Sequence, residues 1–264
     1  FSIIDLTERS SECLYSSEDN AGFNQIFKLE FSTHDKQLMM DIINDLNNLE
    51  HVKYACPNYI GKFGGLVNDI EYDKQWGLNG SNGIGIEGAW TLTVGSNDVT
   101  VGVIDTGIYP HVDLNDNLLP GWNFQGNNSI TTDSFGHGTH VAGIIGAVGN
   151  NNLGISGVCQ QVSLVPLKIS DNDVWKTDKV ISAINYATNL WGSNGQIDIL
   201  NFSGGGFPNE SGLREAIDNF PGLFVGAAGN DGVNIDEGYK PNYPGTFEID
   251  NLVTVGSTDK NGER

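Results

Sequence analysis

Two short stretches hold the side chains best suited to acid–base chemistry. His137 stands between glycines in Gly136-His137-Gly138-Thr139-His140-Val141-Ala142-Gly143, at the head of what reads as an apolar helix to about Ala147. Upstream, the apolar run Val101-Gly102-Val103-Ile104 ends in Asp105-Thr106-Gly107, a carboxylate followed by a tight turn. A neutral imidazole is the usual general base near working pH, and a carboxylate on its other nitrogen fixes the tautomer and stabilises the imidazolium. Taken singly, Asp105 is more simply a turn residue and His137 a helix cap. Together the two motifs favour the acid–base pair. A serine at the start of a small-residue helix would complete a hydrolytic triad, and no such segment occurs in the sequence. The isolated chain is therefore expected to lack triad activity, for a base without its nucleophile hydrolyses little.

These residues need a scaffold, and the hydrophobic pattern supplies one. Residues 1–21 mix Ser, Glu and Asp and are expected to be a loosely ordered remainder of something cut upstream. Residues 25–31 alternate apolar and polar like a half-buried strand, and Leu38, Met39, Ile42, Ile43, Leu46 and Leu49 recur as one helical face, capped by Thr33 or Asp35. A second strand is expected over residues 52–55, stopped by Pro57. Gly61 to Asn68 reads as a linker. Beyond it Trp76, Leu78 and Trp90 look like apolar anchors, with residues 84–90 a short helical turn.

Strands and helices then alternate. Strands are expected at residues 99–104, 121–124, 162–168, 197–202, 223–227 and 252–255, and helices at 137–148, 178–191 and 211–220. Apolar strands separated by helices imply an α/β fold with a parallel sheet covered by helices on both faces. In such sheets chemistry sits beyond the carboxyl ends of the strands. Asp105, the segment Ser203 to Gly206, and Asn230 all follow strands in this way.

Composition removes some functions. Thirteen Lys and Arg against 33 Asp and Glu give a net charge of −20, which repels nucleic acid and anionic membranes. No apolar run approaches the ~20 residues of a membrane span. Cys13, Cys56 and Cys159 show no metal-ligand spacing, although one pair could form a disulfide. Asp105-Thr106-Gly107 also matches half of an aspartic peptidase site, but that chemistry needs a second such aspartate, and there is none. His137 and His140 lack the glutamate and spacing of a zinc helix.

The blocks VGVIDTGIYPHVDL (101–114), GHGTHVAGIIGA (136–147), ILNFSGGG (199–206) and GAAGND (226–231) resemble successive blocks of the subtilisin-like serine peptidases, in that family's order of acid before histidine. The resemblance covers residues 52–258. It implies a subtilisin-like fold, Asp105 as the orienting acid, His137 as the base, His140 as a structural histidine, and Asn230 as the oxyanion donor. It implies that Ser203, Gly204, Gly205 and Gly206, facing Ala228 and Gly229, wall the main specificity pocket along an extended polypeptide substrate. Gly204 departs from the larger residue often found there. Asp236 and Glu237 near the pocket floor raise a basic specificity, though acids on a loop are more often simply solvated.

The polar loop 147–155 resembles the family's calcium loop. By that likeness Asn151, the carbonyls of Val148, Leu153 and Ile155, and the carboxylates of Asp69 and Asp113 would hold calcium; otherwise it is an Asn-rich solvent loop. Residues 52–59 are similar to the end of subtilase propeptides, with Cys56 where an acid is common, and residues 68–78 to the start of the mature chains. Hence residues 1–60 are expected to be a small α+β prosegment-like unit, an intramolecular inhibitor. Residues 61–75 would be linker and start of the mature region, and residues 76–264 a catalytic domain truncated before its serine segment. A second chain carrying that serine is one expected partner, and a secreted location the expected setting. The rival reading is a pseudo-protease of the same fold acting as a regulatory or binding protein.

Overall fold

The computed structural model describes residues 2–5, 27–30, 36–52, 54–56, 67–206, 208–235 and 240–263. The chain divides into two compact units, Phe1–Ile60 and Gly61–Arg264.

In the first unit β1 (Ser2–Asp5) pairs antiparallel with β2 (Phe27–Glu30), Ser2 opposite Glu30. This corrects two expectations. The start of the chain supplies a strand, and the described residues at 52 and 54–56 do not. The reason is visible at Asn47, the last residue of α1 (Lys36–Asn47): its amide donates to Ala55 O at 2.9 Å and accepts from Ala55 N at 2.6 Å. One side chain thus takes both backbone groups that a strand ladder would use. Along α1, Met39, Ile42, Ile43 and Leu46 are half-buried, whereas Leu38 and Leu49 are exposed. The proposed caps Thr33 and Asp35 lie outside the described residues, as do Cys13 and most of residues 1–21.

The second unit begins with α2 (Trp76–Asn79) and α3 (Ile86–Trp90). Leu78 and Ile86 are buried with Tyr72, and Trp90 leans on Tyr72 with ring centroids 5.8 Å apart. Trp76, expected as an anchor, is 47% exposed; its backbone is what the turn uses, accepting from Gly80 N.

Six parallel strands follow: β3 (Gly95–Asp105), β4 (Trp122–Asn123), β5 (Gln161–Lys168), β6 (Ile199–Phe202), β7 (Leu223–Ala227) and β8 (Leu252–Val255). They lie in the order β4-β5-β3-β6-β7-β8. The helices are α4 (His137–Gly146), α5 (Thr177–Leu190) and α6 (Ser211–Asp218). Side chains alternate across a strand, so β3 and β5 feed two cores. Val101, Val103, Val162 and Leu164 pack with Ala142 of α4 on one face. Ile104, Val165 and Leu167 pack with Val180, Ile184, Leu213 and Ile217 of α5 and α6 on the other. Every residue of β5 after Gln161 is buried, the mark of a strand covered on both sides. Parallel strands point their carboxyl ends the same way, and Asp105, Lys168, Phe202 and Ala227 therefore share one edge of the sheet.

Candidate active site

Asp105 closes β3 and His137 opens α4. His137 Nδ1 lies 2.8 Å from Asp105 Oδ1 and 2.9 Å from Oδ2. The Asp105 side chain is 5% exposed and the imidazole 47%, so the acid is sheltered while the base faces solvent. Oδ1 also accepts from Thr106 N at 2.7 Å, and Thr106 Oγ1 accepts from Gly138 N at 3.0 Å. The turn after the strand thus grips the helix that carries the histidine.

The flanking glycines have separate reasons. Gly136 takes φ +104°, a left-handed conformation that favours glycine. A Cβ on Gly138 would stand 2.2 Å from Gly107 O and 3.0 Å from Asp105 Cβ. Without that hydrogen-only position the helix could not approach the carboxylate.

With glycine at the capping position, the helix start takes its acceptor from Asp133. Asp133 Oδ1 accepts from Phe135 N and Gly136 N at 2.9 and 2.8 Å, and Oδ2 from Thr139 N and Oγ1 at 3.0 and 2.6 Å. Burial alone would push this carboxyl upward. The bonds from Gly136, Thr139 and Phe135 outweigh it and hold Asp133 below its ordinary value. Neither it nor Lys168 was anticipated as part of the site. Lys168 had a readable signal, a charge ending an otherwise apolar strand. Asp133 precedes the capping position by three residues, where a cap is not usually sought.

A cleft of about 420 Å³ runs along the carboxyl edge. Asp105, His137, Ser203, Gly204, Gly205, Gly206, Gly229 and Asn230 line it, so the three strand ends come together. Ala227 lines it, whereas Ala228, expected on the wall, does not; its N–H is tied to Val255 O at 2.9 Å. Ser203 Oγ accepts from Asn201 Nδ2 at 3.0 Å. The space a side chain on Gly204 would use is filled, since a Cβ there would meet the Phe202 ring at 2.7 Å and the Trp175 ring at 3.1 Å. Asn242 is a lining residue with no sequence signal: it arrives from a distant segment, donates to Ala227 O at 3.1 Å, and would lie 2.3 Å from a Cβ on Gly205. Asp236, Glu237 and Gly238 lie outside the described residues.

His140 lies one turn further along α4. It is exposed and lines a separate cavity of about 540 Å³ with His111, Tyr109 and Phe135.

The loop after α4 gathers the residues considered for calcium. Asp69 and Asp113 are 4% and 3% exposed. Asp69 accepts from Asn150 N at 3.0 Å and Asn151 N at 3.1 Å; Asp113 accepts from Ile155 N at 2.9 Å and Asn151 Nδ2 at 2.8 Å. Val148 N donates to Asp113 O. Asn151 Oδ1 accepts from Leu153 N at 2.8 Å, so its nitrogen, not its oxygen, is turned to Asp113. Among the described residues neither carboxylate has an ion pair. Both carboxylates are met by N–H donors of this loop, and among the described residues no group of three or more His, Cys, Asp or Glu side chains is arranged to hold a metal ion. Cys56 and Cys159 are free thiols, and burial pushes Cys159 upward.

The fold and site together are those of an α/β domain with a carboxylate–imidazole pair at the carboxyl edge of a helix-covered parallel sheet. The chain belongs to the subtilase family, Peptidase_S8, whose family model matches residues 96–264. It is 34% identical to thermitase of Thermoactinomyces vulgaris over 183 residues, covering 67% of this chain and 60% of that protein. It is 31% identical to a thermophilic serine proteinase of Bacillus sp. (strain AK1) over 228 residues, covering 83% of this chain and 52% of that one. A solved protease structure from Pseudoalteromonas arctica PAMC 21717 superposes with a TM-score of 0.65 at 30% identity, covering 76% of this chain and 68% of that chain. The chain thus spans 60% or less of the length of the two curated relatives.

Proposed function

We propose that these residues are the acid–base and oxyanion portion of a subtilisin-type serine endopeptidase acting on polypeptides, whose nucleophilic serine lies outside residues 1–264. The observation that carries this is the sheltered Asp105 carboxylate held 2.8 and 2.9 Å from a half-exposed His137. Ionised Asp105 accepts the Nδ1–H, which leaves Nε2 as the free lone pair. His137 then takes the serine hydroxyl proton as that oxygen attacks the scissile carbonyl, and returns it to the leaving amine. The side-chain N–H of Asn230 donates to the oxyanion, a contact worth about 3 kcal/mol, a magnitude measured on a subtilisin. Relatives named as serine proteinases support the reading. A regulatory pseudo-protease has less in its favour, since decay leaves no reason to keep Asp105, His137 and Asn230 on one cleft.

The test is peptide hydrolysis by a polypeptide extended beyond Arg264, with and without His137→Ala. The variant should lose several orders of magnitude in kcat, about 10⁴-fold or more. Hydrolysis that survives the substitution undiminished would sink the reading.

Three further assignments belong to it. Asp69 and Asp113, the carbonyls of Val148, Leu153 and Ile155, and Asn151 once its amide turns over, hold a structural calcium that ties the loop to the body of the domain. The unit Phe1–Ile60 acts as a prosegment, so added in trans it should inhibit the extended enzyme; no inhibition at micromolar concentration would refute that. The setting is extracellular, supported by relatives named extracellular proteases, although another is named intracellular. Among the described residues no helix is long and apolar enough to cross a membrane.

A further inference from the structure

Lys168 is a buried cation that the catalytic scheme leaves unused. It ends β5 directly beside Asp105, its register partner on β3. Both project to the α4 face of the sheet, since Val101 and Val103 precede Asp105, and Val162 and Leu164 precede Lys168, at two-residue spacing on that face. The side chain is 3% exposed in a chain of net charge −20. An ammonium buried to this degree is retained only where its donors are satisfied.

Its three donors have three acceptors. Nζ donates to Thr106 O at 3.0 Å and to Thr132 O at 2.8 Å, and pairs with Asp171 Oδ1 at 2.8 Å. Each acceptor belongs to a different piece of the site. Thr106 is the turn whose N–H bonds Asp105 and whose hydroxyl receives Gly138 N–H. Thr132 precedes Asp133, which binds Gly136 and Thr139 and so sets the start of α4. Asp171 lies in the segment between Ser170 and Asn172, both of which line the cleft. The stem is packed as well as the head: a Cβ on Gly107 would come within 3.2 Å of Lys168 Cδ.

We propose that Lys168 is a positioning residue that aligns the Asp105–His137 pair, by drawing the carboxylate's turn and the histidine's capping segment onto one ammonium. The proposal rests on reading that pair as catalytic, and concerns what holds it. Among the described residues neither carbonyl accepts a hydrogen bond from any other donor. Removing the ammonium leaves the buried Thr106 O short of a partner, releases the Thr132 carbonyl of the more exposed capping segment, and lets the two segments separate.

The test uses the 264-residue chain with labelled histidine. A proton held between Nδ1 and a carboxylate gives a far-downfield resonance in ¹H–¹⁵N spectra, assigned to His137 by its loss in His137→Gln. Lys168→Met should fold, by circular dichroism and a cooperative melt, yet lose that resonance; Lys168→Arg should restore it by restoring the cation. Asp171→Asn, which removes only the exposed partner, should leave it in place. Should Lys168→Met fail to fold, Lys168→Gln against Lys168→Arg decides, the resonance following the charge. A folded Lys168→Met or Lys168→Gln chain with the resonance unshifted overturns the proposal. Because the signal reports the pair without any nucleophile, this outcome is independent of whether the extended polypeptide hydrolyses peptides.

Discussion

At the scale of single residues the site depends on a few charged groups held by short bonds. Asp105 orients His137, and Asp133 orients the turn from which His137 springs. In the extended polypeptide Asp105→Asn should lower kcat by about 10⁴-fold while leaving the fold intact, because the amide favours the wrong tautomer; a loss under tenfold would contradict its role. Asp133 makes a prediction that needs no activity. Its carboxyl is lower in the folded chain than in the unfolded one, so its contribution to stability is complete above the unfolded value of 3.8 and is lost as pH falls through the lower folded value. Asp133→Asn should therefore reduce Tm at neutral pH, and the gap from the parent should close in strong acid. A gap of constant size across that range would show that the charge is irrelevant. Asp105 and His137 were legible from the sequence because each sits in a motif at an element boundary. Asp133 and Asn242 were not, since their partners are backbone groups and side chains brought near only by the fold.

The elements follow from patterns that a chain displays openly. Unbroken apolar runs became the strands of a sheet covered on both faces, and the apolar stripe of α5 found its core at Val180, Ala183, Ile184 and Ala187. The small unit was harder to read. Ser2–Asp5 is four residues long with no periodicity to reveal it, and the strand expected at 52–55 was displaced by the Asn47 amide. Short strands are decided by which partner reaches them, not by their own sequence. The helix–sheet approach at the site depends on glycine. Gly138→Ala should place a Cβ against Gly107 O and cost about 1–3 kcal/mol, with the His137 helix pushed off the Asp105 turn. Thermal unfolding checks this, and an unchanged Tm would mean that the contact relaxes freely.

For the whole molecule, the proposed calcium at the buried pair Asp69 and Asp113 would make the stability of this acidic chain depend on that cation. Calcium at 100 times its dissociation constant should stabilise the second unit by about 2.7 kcal/mol, or about 5–10 °C in Tm. A chelator should abolish the gain, and Asp113→Asn should remove it permanently; a Tm indifferent to calcium would return residues 147–155 to a plain solvent loop. The central claim is that this chain carries the base and not the nucleophile of a serine peptidase. The most direct measurement is fluorophosphonate labelling, with intact mass recorded under denaturing conditions, of the 28.4 kDa chain alone and of a polypeptide extended beyond Arg264. The account predicts no adduct on the chain alone, and one adduct on a serine of the extended polypeptide that disappears with His137→Ala. An adduct on a serine within residues 1–264, or labelling indifferent to His137, would contradict it.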